Sequence, residues 1–337
     1  MSTMRIAAVT AALLALSTAA PSVVWAAGSG YHVLDKVPGP DGRWDYVRVD
    51  TVHNRVLLTR GANVMAIDLA TKAVSSFDNG AILHDAMPVN GGTEVLVTHG
   101  GTAQAVFIDA KTNAVLATVD TGKGPDAAAF DAKTGLALVM DHAGGQISLI
   151  DPKAHKVVGT IDVGGDLEAA ATDGTGKAYV NVENKNEIAV VDLVAKTVIA
   201  HWALAGCDGP TGIAYDAADK ELISACDGAT VVVDAKTGKV VQTLATGKGA
   251  DGVAFDPKRK LAFVPSGRAG TLAVIAFAGG KGTIIDTVPT QVSARTIALD
   301  ERTGRVYLPS AEFGPSATPG GRPGLKPGTF QVLIVGK

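Results

Sequence analysis

Aromatic residues are scarce: eight Phe, five Tyr and three Trp serve 337 positions. A core built from this chain must therefore be aliphatic, assembled from Val, Ala, Leu and Ile rather than around large rings. Basic runs are absent and the formal net charge is −3. Nucleic acid is thereby disfavoured as a partner, because phosphate binding needs clustered cations. Charged residues make up only 19% against 47% hydrophobic ones, which excludes disorder as the main state. Cysteine is limited to Cys207 and Cys226, at a spacing that matches no zinc or haem signature. Also missing are G-x-S-x-G, a P-loop, C-x-x-C-H and any Ser/His/Asp order. The glycines of Gly122-Lys-Gly124 and Gly247-Lys-Gly249 read as turn residues, since no helix follows to complete a phosphate cradle.

The N-terminus carries the one apolar run of note. Arg5 supplies a positive start, Ile6 to Ala20 an apolar stretch, and Val24-Trp25-Ala26 a small-residue cleavage pattern. Residues 1–26 read as a removed signal, leaving 27–337 as a single domain in the periplasm or outside the cell. The stretch is too short and too rich in Ala, Thr and Ser for a comfortable membrane span, and no other segment approaches that length. In an exported chain two thiols favour one disulfide, Cys207–Cys226; a reactive thiol pair is the alternative.

What is abundant is glycine, 40 residues of it, and a repeat. A short apolar strand closes on Asp or a substitute, turns, and is followed by a second apolar strand: Tyr46-Val-Arg-Val-Asp50 before Arg55-Val-Leu-Leu-Thr59, Ala127-Ala-Ala-Phe-Asp131 before Leu136-Ala-Leu-Val-Met140. The strand-ending positions 50, 90, 131, 173, 216, 256 and 300 lie 40 to 44 residues apart. Between them a second phrase ends on Asp68, Asp109, Asp151, Asp192 and Asp234, with weaker copies at Val274-Ile-Ala276 and Val332-Leu-Ile-Val335. These Asp residues open hairpins and read as turn caps. Each unit holds four strands. A lone sheet of that size buries too little apolar surface, whereas sheets stacked around an axis bury both faces. The expectation is an all-β, seven-bladed β-propeller with four-stranded blades. The last unit has three strands at the C-terminus, so Tyr31 to Val37 is expected to supply its fourth, outer strand and close the ring.

The repeat resembles that of the YVTN, or YncE-like, family of bacterial propellers. Lys177-Ala-Tyr-Val-Asn181, Ile188-Ala-Val-Val-Asp192 and Lys196-Thr-Val-Ile199 match one half of its motif. Gly124-Pro125, Gly209-Pro210-Thr-Gly-Ile-Ala214 and Gly249 to Ala254 match the other. The resemblance covers nearly all of residues 27–337. It implies the fold and is weak for activity, since propellers host unrelated functions. Where that family has Tyr-Val-Thr-Asn, this chain has Leu138-Val-Met-Asp141, Phe263-Val-Pro-Ser266 and Tyr307-Leu-Pro-Ser310, all at strand ends where a loop could be specialised.

In a propeller the first strand of each blade lines the axial channel. Five residues before each strand-ending position stand Asp45, Asp85, Asp126, Glu168, Thr211, Asp251 and Arg295. Sevenfold geometry makes them a ring at one channel mouth, where crowded carboxylates repel, hold protons or hold a cation. Turn-type hydrogen bonds to nearby backbone are the bland alternative. His84, His99 and His142 map to the same face of adjacent blades, and His with Asp suits Zn²⁺ or another transition ion, although no tight ligand spacing is present. The loop 311–329 is Gly/Pro-rich, bears Arg322 and Lys326, and is expected on the mouth face as a lid, a docking element or a disordered insertion.

Two function classes stay open. One is an exported binding propeller for a small ligand, a metal ion or a protein partner at the acidic mouth. The other is a metal-dependent hydrolase, lactonase or lyase using the same groups. Nucleic-acid binding, associated with the YncE-like family, is disfavoured by the acidic mouth. A monomer is expected.

Overall fold

The computed structural model describes residue 1, residues 28–316 and residues 323–337. The expected signal segment and the middle of the loop 311–329 lie outside them. The described residues form an all-β propeller of seven four-stranded antiparallel sheets. Six blades run in sequence order from the inner strand outward: the first from Val47–Asp50 to Val74–Phe77, the third from Pro125–Asp131 to Lys156–Asp162, the sixth from Ala254–Asp256 to Lys281–Pro289. The seventh contains Ala298–Asp300, Arg305–Ser310 and Gln331–Gly336, and its outer strand is His32–Pro38. The register runs from His32 opposite Gly336 to Pro38 opposite Gln331. The ends of the chain therefore meet in one sheet, as the strand count required.

Why the strands are apolar on both faces is visible in blade 1. In Arg55–Thr59, Val56 and Leu58 pack toward blade 7 while Leu57 packs toward blade 2. Successive side chains of a strand point to opposite faces, and in a ring each face meets a neighbouring blade. The apolar residues accordingly form seven clusters, one at each blade–blade contact, instead of one central core. Small and β-branched residues fill them; Ala137, Val139, Ile147, Leu222 and Val232 are all fully buried.

The repeated hairpin aspartates cap turns as expected. Asp109 accepts hydrogen bonds from the Lys111 and Thr112 backbone N–H groups (3.0 and 2.7 Å) and from the Thr112 hydroxyl (2.8 Å). Asp68, Asp151, Asp192 and Asp234 do the same for their own turns. No helix of the described residues is long and apolar enough to cross a membrane. Cys207 and Cys226 are disulfide-bonded, with Cα atoms 5.3 Å apart.

Candidate axial site

The mouth is built by irregularities in the inner strands. In blades 2, 3 and 4 the pairing with the second strand slips between Leu83 and Ala86, between Pro125 and Ala128, and between Leu167 and Ala170. A bulge leaves residues unpaired and re-aims their side chains. His84 and Asp85, Asp126, and Glu168 all sit in these bulges. Hydrogen bonds from the neighbouring blade hold the bulged backbone. The Thr59 hydroxyl donates to the His84 carbonyl (2.7 Å) and the Thr98 hydroxyl to the Asp126 carbonyl (2.7 Å). Further round, the Asn181 amide donates to the Thr211 and Gly212 carbonyls (3.0 and 3.1 Å).

Of the aligned carboxylates, Asp45, Asp126 and Glu168 converge. His84 Nδ1 lies 2.6 Å from Asp45 Oδ2 and 3.3 Å from Asp126 Oδ1. His142 opens a short turn, His142–Gly144, just after the second strand of blade 3. Its Nδ1 lies 3.3 Å from Glu168 Oε1, 4.0 Å from Asp126 Oδ2 and 3.0 Å from the Leu167 carbonyl. Two triads result, Asp45–His84–Asp126 and Asp126–His142–Glu168, each with its donor atoms within 4.8 Å of one another. They share Asp126, whose two oxygens face one triad each. The Asp126 side chain is 15% exposed, and its Oδ1 is solvent-inaccessible without a hydrogen bond of good geometry.

The electrostatics follow from crowding. Burial, with the Asp45 charge adding to it and His84 opposing, pushes Asp126 well above the carboxylate range. The hydrogen bond to Glu168, working against burial, lifts His142 to about 9. Burial disfavours the charged form of His84, but the Asp45 hydrogen bond and the Asp126 charge outweigh it and raise its pKa. The crowding thus favours protons on Asp126, His84 and His142.

The other aligned residues have different fates. Asp85 is fully buried and turned into the channel wall, where it accepts from Arg48 Nε (2.9 Å) and Nη2 (2.5 Å) and from the Ala86 and Ala128 backbone N–H groups (2.8 and 2.9 Å). Arg48 also donates to the Ala128 carbonyl (2.7 Å), so this pair ties blades 1, 2 and 3 together. Asp251 is paired with Arg295 at 2.5 Å. Arg295 lies over the Trp44 ring and 4.0 Å from Asp45, joining the far side of the mouth to the first triad. The Thr211 hydroxyl donates to the Ala250 carbonyl (3.3 Å). His99 is not at the mouth cluster. It is buried in blade 2 with Nε2 2.7 Å from Asp78, a residue of the preceding loop.

One further group belongs to the site. The Tyr46 hydroxyl reaches across the channel to Glu168 Oε2 (3.4 Å). Burial, and then the charges of Glu168, Asp126, Asp251 and Asp45, hold that phenol well above its usual pKa, so it stays a hydrogen-bond donor. It is one residue after Asp45 in the sequence, where the other repeats carry Ala86, Ala127, Ala169, Gly212, Gly252 and Thr296. The described flanks of the loop 311–329 lie beside this end of blades 7 and 1: Phe313 packs against Trp44, Lys326 pairs with Glu312 (2.8 Å), and the Gly328 N–H donates to Asp41.

No family model and no curated protein matches the sequence. Among solved structures, a chain of "Crystal Structure of Mitotic Checkpoint Complex" is similar over 90% of this chain and 95% of its own, with a TM-score of 0.70 and 13% identity. At that identity the likeness concerns the fold alone: this chain is a seven-bladed β-propeller, and its function has to be read from its own mouth.

Proposed function

We propose that this protein is an exported binding propeller that takes up a divalent transition-metal ion, of the Zn²⁺ type, at the axial mouth. One observation carries the reading: two His/carboxylate triads meet at Asp126 with their donor atoms within 4.8 Å. Imidazole nitrogen with carboxylate oxygen is the donor set of Zn²⁺ and its first-row neighbours, whereas Ca²⁺ and Mg²⁺ take oxygen alone. Ligands about 2.1 Å from a tetrahedral ion lie roughly 3.4 Å from each other. His84 and Asp126, at 3.3 Å, already have that separation. A cation would replace the protons that the crowding favours and relieve the repulsion that raises the Asp126 pKa. Arg295 holds Asp251 aside, and Tyr46 offers a donor across the channel for a ligand on the ion.

The propeller repeat, the disulfide and the apolar N-terminal segment support export. Within the exported propellers, the repeat motif supports kinship with the YVTN or YncE-like group.

The experiment is metal analysis of protein purified without chelators, followed by calorimetric titration of stripped protein with Zn²⁺. The expected result is a stoichiometric site that releases protons on filling, because His84 and His142 must bind as neutral imidazoles. Asp126→Ala, which touches both triads, abolishes it. Stripped protein that neither binds nor gains thermal stability with Zn²⁺, Mn²⁺, Co²⁺ or Ni²⁺ refutes the reading. Cleavage after Ala26 in mass analysis of protein from its own cell tests export.

A further inference from the structure

Opposite the mouth, between blades 4 and 5, a cleft of about 470 Å³ opens among the hairpin turns. Its floor is aromatic. Tyr179 stacks with Tyr215 at 5.9 Å between centroids and meets Trp202 at 5.9 Å. In a chain with five Tyr and three Trp, two and one of them gather here.

Comparison with the other blades shows that the repeat does not call for three rings at one contact. Trp202 pairs with the second residue of its neighbouring strand, Ile188. The equivalent positions hold Ser76, Val119, Ile161, Leu244 and Val288. Tyr179 stands where other second strands have Leu57, Leu96, Leu138, Ile223, Phe263 and Tyr307, and Tyr215 where other first strands have Val49, Val89, Phe130, Thr172, Phe255 and Leu299. Elsewhere a blade–blade contact carries at most one ring at these three positions, so three rings converging on one cleft mark a departure from the fold's own pattern. Trp202 is half-buried, its ring set against Gly238, where any Cβ would lie 2.3 Å from the indole.

The rim is cationic. Lys177, Lys220 and Lys236 line the cleft, all exposed, and none makes an ion pair among the described residues. Lys220 Nζ lies 5.8 Å from the Tyr215 ring centre. The one acid on the rim, Asp173, is already committed to its turn through the Thr175 N–H, the Thr175 hydroxyl and the Lys177 N–H.

We infer that this cleft binds a small planar aromatic anion. Trp202 and Tyr215, both half-buried, supply stacking surface with Tyr179 packed behind them, the unpaired ammonium groups supply charge, and the volume falls in the range of small-molecule sites. The site is independent of the axial one and lies on the other face.

The test is calorimetric titration of the full chain with 2-naphthoate, 2-naphthylmethanol and 2-naphthylmethylammonium as matched anionic, neutral and cationic probes. The naphthoate is expected to bind saturably, about tenfold or more tighter than the neutral probe, with affinity falling as salt rises. Trp202→Leu introduces the residue that blade 5 carries at the same position; it is expected to weaken binding about tenfold while the circular dichroism spectrum is kept. Lys220→Gln with Lys236→Gln changes exposed groups only, and it is expected to erase the preference for the anion. No binding of the naphthoate, equal binding of all three probes, or an unchanged affinity in both variants overturns the inference.

Discussion

Asp85 and Asp126 occupy the same place in the repeat and do opposite work. Asp126 is crowded by like charges, whereas Asp85, itself fully buried, satisfies a partly exposed Arg48 and two backbone donors. Removing Asp85 leaves the Arg48 charge without its counterion and two buried N–H groups without an acceptor, at a cost of about 2 kcal/mol or more. Asp85→Ala is therefore expected to lower the melting temperature by several degrees and to leave metal stoichiometry unchanged. Loss of the metal with stability intact would move Asp85 into the site. The sequence alone could not separate the two residues. Alignment identifies a position, but the bulge decides where its side chain points, and Arg48 lies three residues beyond the aligned Asp45. His99 escaped for a related reason: its partner Asp78 comes from a loop that the repeat does not cover. A second buried acid makes a pH prediction away from the mouth. Burial, reinforced by the nearby Asp219 and Asp216 charges, raises Glu221 from 4.5 to about 7. Its folded pKa lies above the unfolded value, so the protonated form favours folding. That contribution is complete below pH 4.5 and is lost as pH rises through about 7. Glu221→Gln should remove this step, gaining about 1–3 kcal/mol relative to the parent at pH 8 and nothing at pH 4. Parallel melts from pH 4 to 9 check it; curves that stay parallel would contradict the raised pKa.

Among the elements, the outer strand of blade 7 carries the most weight for its length. His32–Pro38 is joined to Gln331–Gly336 by backbone hydrogen bonds and side-chain packing only, and it buries Val37 beside Trp44 and Phe330. Deleting residues 31–37 exposes the edge of the C-terminal strand and opens the ring. The expected loss is on the order of 5 kcal/mol, seen as a melting temperature lower by roughly 10 °C. A truncated chain that melts with the parent would show that packing between the blades holds the ring without the added strand. The disulfide fixes a different element, the loop into blade 5. Its ends are 19 residues apart, so reduction should cost roughly 3 kcal/mol in the chain-entropy account. A paired Cys207→Ala, Cys226→Ala variant measured by urea denaturation reports it. Both elements were legible in the sequence because each follows from counting: an unmatched strand at one end, an unfilled strand position at the other, and two thiols in loops that share a face. Tyr46 was not legible in that way, because its role depends on a distance across the channel to Glu168 and not on any interval along the chain.

On the scale of the whole molecule, the ring distributes its core into seven contacts, and each blade needs both neighbours. Where the chain is cut should then matter more than whether it is cut. The first and last described strands are the fourth and third strands of one blade, so closure is made by a hydrogen-bonded strand pair. Two circular permutants separate this from mere compactness. In each, Lys337 is joined to Gly28 by a short linker, which the adjacent pairing of His32 with Gly336 allows. Opening the chain between Lys111 and Thr112, in the exposed turn between the third and fourth strands of blade 2, reproduces that division of a blade two blades further on. Opening it between Thr121 and Gly122 leaves every blade continuous and closes the ring by side-chain packing alone. The first permutant is expected to melt within a few degrees of the parent. The second should melt well below it and lose affinity at the mouth, because the cut lies just before the bulge that carries Asp126. Equal stability of the two would mean that strand exchange at the closure adds nothing, and that packing between wedges suffices to hold the axial groups together.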